Sequence, residues 1–106
     1  DEILSVPGID AFFIGPNDLL KSMGRAPAME SDEPVFVQAL EHLRAVGRKH
    51  GVAAGIHTAD AAAARRRVAE GFQFVAVASD VALMLAKAQA ELAQLGLGGA
   101  GQVVRY

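Results

Sequence analysis

Asp18 follows a short apolar run and a Gly-Pro break in Ile9-Asp10-Ala11-Phe12-Phe13-Ile14-Gly15-Pro16-Asn17-Asp18-Leu19-Leu20. A carboxylate so placed is a hard oxygen donor of the kind that holds a divalent cation. The run is short enough for a strand, and Gly15-Pro16 must end it, because proline has no N–H to offer a ladder. Asp18 is therefore expected just past the C-terminal end of a buried strand. In α/β folds that edge gathers ligands and catalytic groups. His57 closes a second apolar run. It is expected at the same rim, where it could touch a substrate or simply neighbour the Thr58 turn. Ser79-Asp80 follows a third run and suits a helix cap, with carboxylate binding as the alternative. Lys21 and Arg25 are close enough in sequence to Asp18 to edge a pocket for an acidic ligand, or to be solvated loop charges. His42 and His50 share no face with an Asp or Glu at ligand spacing and are expected at the surface. No Ser-His-Asp order or His/Cys cluster is present, and no helical pattern follows the glycines from Gly96 to Gly101 to supply an N-terminus for a phosphate, so hydrolase, zinc and dinucleotide chemistries lack support.

The elements that must position these groups alternate along the chain. Apolar runs at Ala11 to Gly15, Val52 to Ile56 and Phe74 to Ala78 are too short for helices and are apolar on both faces. That pattern predicts parallel strands covered by helices. Before the second run, Ser31 or Asp32 can cap a helix, Pro34 fits its first turn and Gly51 follows its end. Phe36, Ala39, Leu40, Leu43 and Val46 form its single apolar stripe. Thr58 or Asp60 can start a second helix from Ala61 to Glu70, stopped by Gly71. Ser79 or Asp80 can cap a third, carrying Val81, Met84, Leu85, Ala88, Leu92 and Leu95 and ending at Gly96; its methionine is expected to pack. Asp1 to Val6 suggests the last turns of a preceding helix. Residues 97–106 form a Gly-rich tail, expected to be flexible, after a barrel portion over 1–96. Three parallel strands leave two open edges, which proteins usually cover or pair. A (β/α)8 barrel needs about 250 residues, so the fold expected is α/β: three βα units, somewhat under half of such a barrel.

Composition narrows the function further. The 106 residues are 52% apolar with a net charge of -2, which suits a globular domain or part of one and gives no basic footprint for nucleic acid. Arg65-Arg66-Arg67 is the only basic run, and helical spacing is expected to spread it over an exposed face. There is no cysteine, hence no disulfide framework and no thiolate metal site, and the cytoplasm is the default compartment. No apolar stretch approaches the roughly 20 residues that span a membrane.

The segments Val6-Pro7-Gly8-Ile9-Asp10-Ala11, Phe13-Ile14-Gly15-Pro16-Asn17-Asp18-Leu19, Gly71-Phe72-Gln73-Phe74-Val75-Ala76-Val77 and Ser79-Asp80 closely resemble the C-terminal part of the HpcH/HpaI aldolase family. The family includes 4-hydroxy-2-oxoheptanedioate and 2-dehydro-3-deoxyglucarate aldolases and shares a superfamily with citrate lyase β subunits. Pro7 to Leu19 is the most specific stretch. The resemblance implies a TIM barrel and a class II aldolase that cleaves 4-hydroxy-2-oxo acids to pyruvate and an aldehyde. It also implies a divalent metal (Mg2+, Mn2+ or Co2+) as cofactor, with Asp18 as one ligand. Pyruvate contacts fall on the backbone N–H groups of Gly15 and Asn17, and on Asp18. The family's second metal ligand (a Glu), its arginine and its His-Asp base lie upstream of Asp1, so this chain alone is expected to be inactive. Family members form trimers and hexamers, and the C-terminal helix can pack on a neighbouring barrel. A non-catalytic role of the Asp80 to Leu95 helix in subunit assembly is therefore the alternative expectation.

Overall fold

The computed structural model describes residues 1–97. The Gly-rich stretch 98–106, expected to be flexible, lies outside the described residues. Strands β1 (Ala11–Ile14), β2 (Ala53–Thr58) and β3 (Phe74–Val77) alternate with helices α1 (Pro16–Ser22), α2 (Pro34–His50), α3 (Ala61–Ala69) and α4 (Asp80–Gln94). The strands form one parallel sheet in the order β1-β2-β3. Phe13 pairs with Gly55 and Gly55 with Phe74; Ile14 pairs with Ile56 and Ile56 with Val75. The leading segment is one 3-10 turn, Ile3–Ser5, rather than α-helical turns.

Helix punctuation follows the local chemistry, with three departures. The Gly-Pro break is a helix start as well as a strand end: Gly15 occupies the cap and Pro16 the first turn of α1, an element the apolar pattern did not announce. Pro suits that position because its missing N–H would be orphaned there anyway. For α2 the cap position is Glu33, without a side-chain bond, rather than Ser31 or Asp32. Ser31 instead accepts the Glu33 N–H on its Oγ at 3.2 Å, holding the chain extended into Pro34. For α3 the cap is Asp60, which accepts from the Ala63 N–H at 2.8 Å. Thr58 stays in β2, whose end lies two residues beyond the expected Ile56; its hydroxyl donates to the Ala76 carbonyl at 2.8 Å, so a buried polar side chain is satisfied inside the sheet. Ser79 caps α4 through the Ala82 N–H. Gly51 ends α2 at φ 69°, the left-handed conformation that glycine adopts without a Cβ clash.

One layer carries the packing. Ile14, Ala54 and Ile56 meet Leu20 of α1, Phe36 and Leu40 of α2, and Phe72. Fully burying a side chain such as Phe36 or Ile56 contributes about 2–3 kcal/mol. The expected α2 stripe is the one observed, with Phe36, Leu40 and Val46 buried and Leu43 packed beside them. The opposite sheet face is open: Phe13 is 48% and Phe74 55% exposed. Their rings sit 5.3 Å apart above Gly55, where a Cβ would meet Phe13 at 2.9 Å and Phe74 at 3.0 Å. Helix α4 buries none of its residues, so Met84, expected to pack, is exposed.

The arginine run divides. Arg67 turns inward, its side chain 10% exposed, and pairs with Glu30 at 2.7 Å and Glu70 at 2.9 Å. The expectation that the whole run is solvated is thus corrected: successive helix positions turn by about 100°, and Arg67 falls on the packed face with Ala63, four positions earlier. The Arg67–Glu30 bond fastens the connection formed by residues 23–33 to α3. Arg44 lies over the Phe72 ring at 5.6 Å and donates to the Glu70 carbonyl.

Candidate active site

The C-terminal edge of the sheet brings together Gly15, Asn17 and Asp18 after β1, His57 at the end of β2, and Ala78, Ser79 and Asp80 after β3. Asp18 is in the first turn of α1, where a negative charge suits the helix dipole. Its carboxylate folds back over Gly15: a Cβ there would meet Asp18 Oδ2 at 2.9 Å. Glycine is therefore what lets the acid lie against the backbone. Gly15 brings no capping side chain, and Pro16 has no N–H. The Asn17 and Asp18 amides, in the first helical turn, thus have no intrahelical acceptor. The Asn17 side chain turns away, its Nδ2 donating to Met29 Sδ at 3.2 Å, which leaves the backbone N–H as the group Asn17 offers at the edge.

Beside this turn a cleft of about 350 Å3 opens against Phe13, Gly15, Asp18 and Leu19. It neighbours β1, which pairs only with β2 among the described residues. A larger cavity of about 610 Å3 lies between α2 and α3, on the helix side. Its Arg67, Glu30 and Glu70 are committed to each other.

His57 shares the open face with Phe13 and Phe74, two residues beyond Gly55 along β2. Its Nε2 lies 2.7 Å from the Ala78 carbonyl. Ala78 is a non-glycine residue at φ 55°, a strained conformation costing about 1 kcal/mol. Its N–H donates to the Thr58 carbonyl at 2.7 Å, so hydrogen bonds from both sides of the turn hold it there. Ser79 and Asp80 serve as cap residues: Asp80 Oδ1 accepts the Val81 N–H at 2.7 Å. Lys21 is exposed in α1, and Arg25 is held by Glu33 at 2.8 Å rather than edging a pocket. His42 is exposed. His50 is partly covered, with Nε2 2.8 Å from Asp1 Oδ1, far from the edge that carries Asp18.

The described residues hold no group of three or more His, Asp or Glu able to ligate a metal ion. Asp18 alone does not make a divalent-cation site, because Mg2+ and Mn2+ take about six oxygens. It fits as one donor of such a set. No described helix is long and apolar enough to cross a membrane.

A parallel βα sheet with an acidic, amide-lined turn at its C-terminal edge has the form of an α/β barrel segment, a class of fold in which ligands gather at that end. The HpcH/HpaI aldolase/citrate lyase family profile matches residues 1–86, and the chain belongs to that family. It is 43% identical over 93 residues to a hydroxypyruvate/pyruvate aldolase of Rhizorhabdus wittichii, covering 88% of this chain and 37% of that protein. It is 36% identical over 89 residues to a 5-keto-4-deoxy-D-glucarate aldolase of Salmonella arizonae, covering 84% and 34%. A solved HpcH/HpaI aldolase/citrate lyase family structure from Burkholderia cenocepacia J2315 superposes with a TM-score of 0.81 at 33% identity, over 89% of this chain and 36% of that one. The chain thus spans a little over a third of these relatives. The strands and helices are those of part of a TIM barrel.

Proposed function

We propose that this chain supplies the C-terminal edge of a class II aldolase site that cleaves 4-hydroxy-2-oxo acids to pyruvate and an aldehyde. The observation that carries this reading is the Gly15–Asp18 turn, where a carboxylate and open amides point from one βα junction. The Asn17 and Asp18 amides suit an acid's carboxylate, and the backbone of Gly15 lies under the acidic group. Asp18 is one ligand of a divalent cation whose remaining donors come from other parts of the barrel. When bound, that cation supplies positive charge where negative charge builds on the 2-oxo acid. Cleavage breaks the bond between C3 and C4 as a base takes the 4-hydroxyl proton: C4 leaves as the aldehyde, the bonding pair passes to the 2-oxo acid as its enolate, and a proton added at C3 gives pyruvate. The family resemblance puts that base in another part of the barrel, so the 106 residues by themselves are inactive on this reading. A cytoplasmic setting belongs to the same proposal.

The test is pyruvate release from a 4-hydroxy-2-oxo acid by the intact protein carrying this segment. EDTA should abolish it and Mg2+, Mn2+ or Co2+ restore it. Asp18→Ala should lower kcat/KM by about 100-fold or more, the scale of removing one electrostatic stabiliser. Full activity in that variant would remove Asp18 from the site.

A second reading rests on α4, where Leu83 (60%), Met84 (64%) and Leu85 (51%) are all widely exposed. On this reading the helix seats on a second copy of the chain and serves assembly into a trimer or hexamer. Leu85→Lys should then shift the mass measured by light scattering to that of a monomer; an unchanged mass would refute it.

A further inference from the structure

We propose that His57 is a substrate-binding residue whose Nδ1 accepts a hydrogen bond from a hydroxyl on the substrate, and so selects hydroxylated over deoxy substrates. This rests on the aldolase reading. Three observations carry it.

The first is position. Side chains alternate along a strand, so His57 projects from the face on which Gly55 lies between Phe13 and Phe74, while Ile56 and Thr58 are buried on the helix side. Extending the β1–β2 register by one residue past Ile14 and Ile56 sets Gly15 level with His57. Neighbouring strands lie about 5 Å apart. His57 therefore borders the glycine over which the Asp18 carboxylate folds.

The second is the tautomer. A carbonyl oxygen only accepts, so the 2.7 Å contact to Ala78 requires Nε2 to carry the proton. In the neutral ring, Nδ1 is then an acceptor. Among the described residues it has no partner.

The third is rigidity. The Ala78 carbonyl belongs to a turn at φ 55°, pinned by its N–H to Thr58, while the Thr58 hydroxyl donates to Ala76. The ring is held in one orientation rather than free to rotate toward solvent.

A fixed acceptor at such a rim has a defined chemical preference. A carboxylate or carbonyl on the ligand would face it lone pair to lone pair, and a methyl group would leave it unpaired. A hydroxyl satisfies it. Sites built to bond a hydroxyl discriminate strongly against the analogue without one.

The experiment measures aldol addition by the intact protein with two substrate comparisons. One arm compares glycolaldehyde with acetaldehyde, using pyruvate as the nucleophile. The other compares hydroxypyruvate with pyruvate, using acetaldehyde as the acceptor. The arm that responds identifies which half of the substrate carries the hydroxyl. His57→Gln keeps an amide N–H for the Ala78 carbonyl and moves the acceptor from the Nδ1 position to Oε1 at the end of the side chain. It should lower the ratio of kcat/KM for the hydroxylated member to that for the deoxy member by about tenfold in one arm. An active enzyme whose His57→Gln ratios equal the unmutated ones in both arms overturns the inference and spares the aldolase reading. An unmutated protein inactive with every pair overturns both. A second measurement needs no variant: long-range 1H–15N correlation of the His57 ring should show Nε2 protonated, and a ring protonated at Nδ1 would overturn the assignment.

Discussion

The two faces of the sheet are built to different standards. On the helix side, Ile14, Ile56, Phe36 and Leu20 are buried within one apolar layer. On the other side, two phenylalanines stand about half exposed over a glycine, with a histidine at the rim. The first face holds the segment together; the second carries the groups at the end where chemistry is proposed. A barrel divides labour in this way: its outer layer is completed locally by each βα unit, whereas its lumen is filled by strands from all around the ring. A chain with three of the strands can therefore finish one face and not the other.

The largest effect should come from the finished face. Phe36→Ala should lower the unfolding free energy by about 3–5 kcal/mol, because it empties a fully buried site. Phe74→Ala should cost under about 1 kcal/mol in the 106-residue chain, since the ring already meets water. In the intact protein the two losses should converge, as other strands cover Phe74. Urea denaturation of both proteins makes the comparison, and equal losses in the short chain would show that its two faces are not unlike after all.

Next in size is the charged clasp on the helix side. Arg67→Ala leaves Glu30 and Glu70 without their shared guanidinium. Both acids are about a third exposed, so the cost should be about 1–2 kcal/mol, below that of a fully buried pair. Thermal unfolding measures it, and a change near zero would mean that water replaces the arginine.

The smallest stability effect belongs to the turn beside the open face. Gly15→Ala should move the melting temperature little, because the added Cβ meets the movable end of Asp18 rather than backbone. It should nonetheless lower the aldolase kcat/KM of the intact protein by about tenfold, because an acid displaced by about an ångström loses its aim. Equal activity would show that the carboxylate need not lie against Gly15.

The strands and the packed face were legible because periodicity encodes them directly. Phe36, Leu40 and Val46 recur at helical spacing, and Gly15-Pro16 punctuates β1. The turn after β1 was legible too, since Gly, Asn and Asp follow one another there. Other features depended on contacts across the chain. Glu30 meets Arg67 from 37 positions away, and no local pattern announces a partner that distant. Within the triple arginine, the i, i+4 spacing from Ala63 puts Arg67 on the packed face. Helix α1 was hidden because Leu19 and Leu20 are too few to display a period. The His57 bond to Ala78 was invisible for another reason: alanine gives no hint of a left-handed backbone, which sequence patterns assign to glycine.

The tie between Glu30 and Arg67 has a consequence for the long connection it fastens. Residues 23–33 run from α1 to α2 and meet α3 through that bond, whose Arg67 end is shielded from water. Dissolved electrolyte screens such a pair far less than one standing in solvent. In strong brine this strap should therefore stay seated while the exposed Lys87–Glu91 pair on α4 loses its attraction.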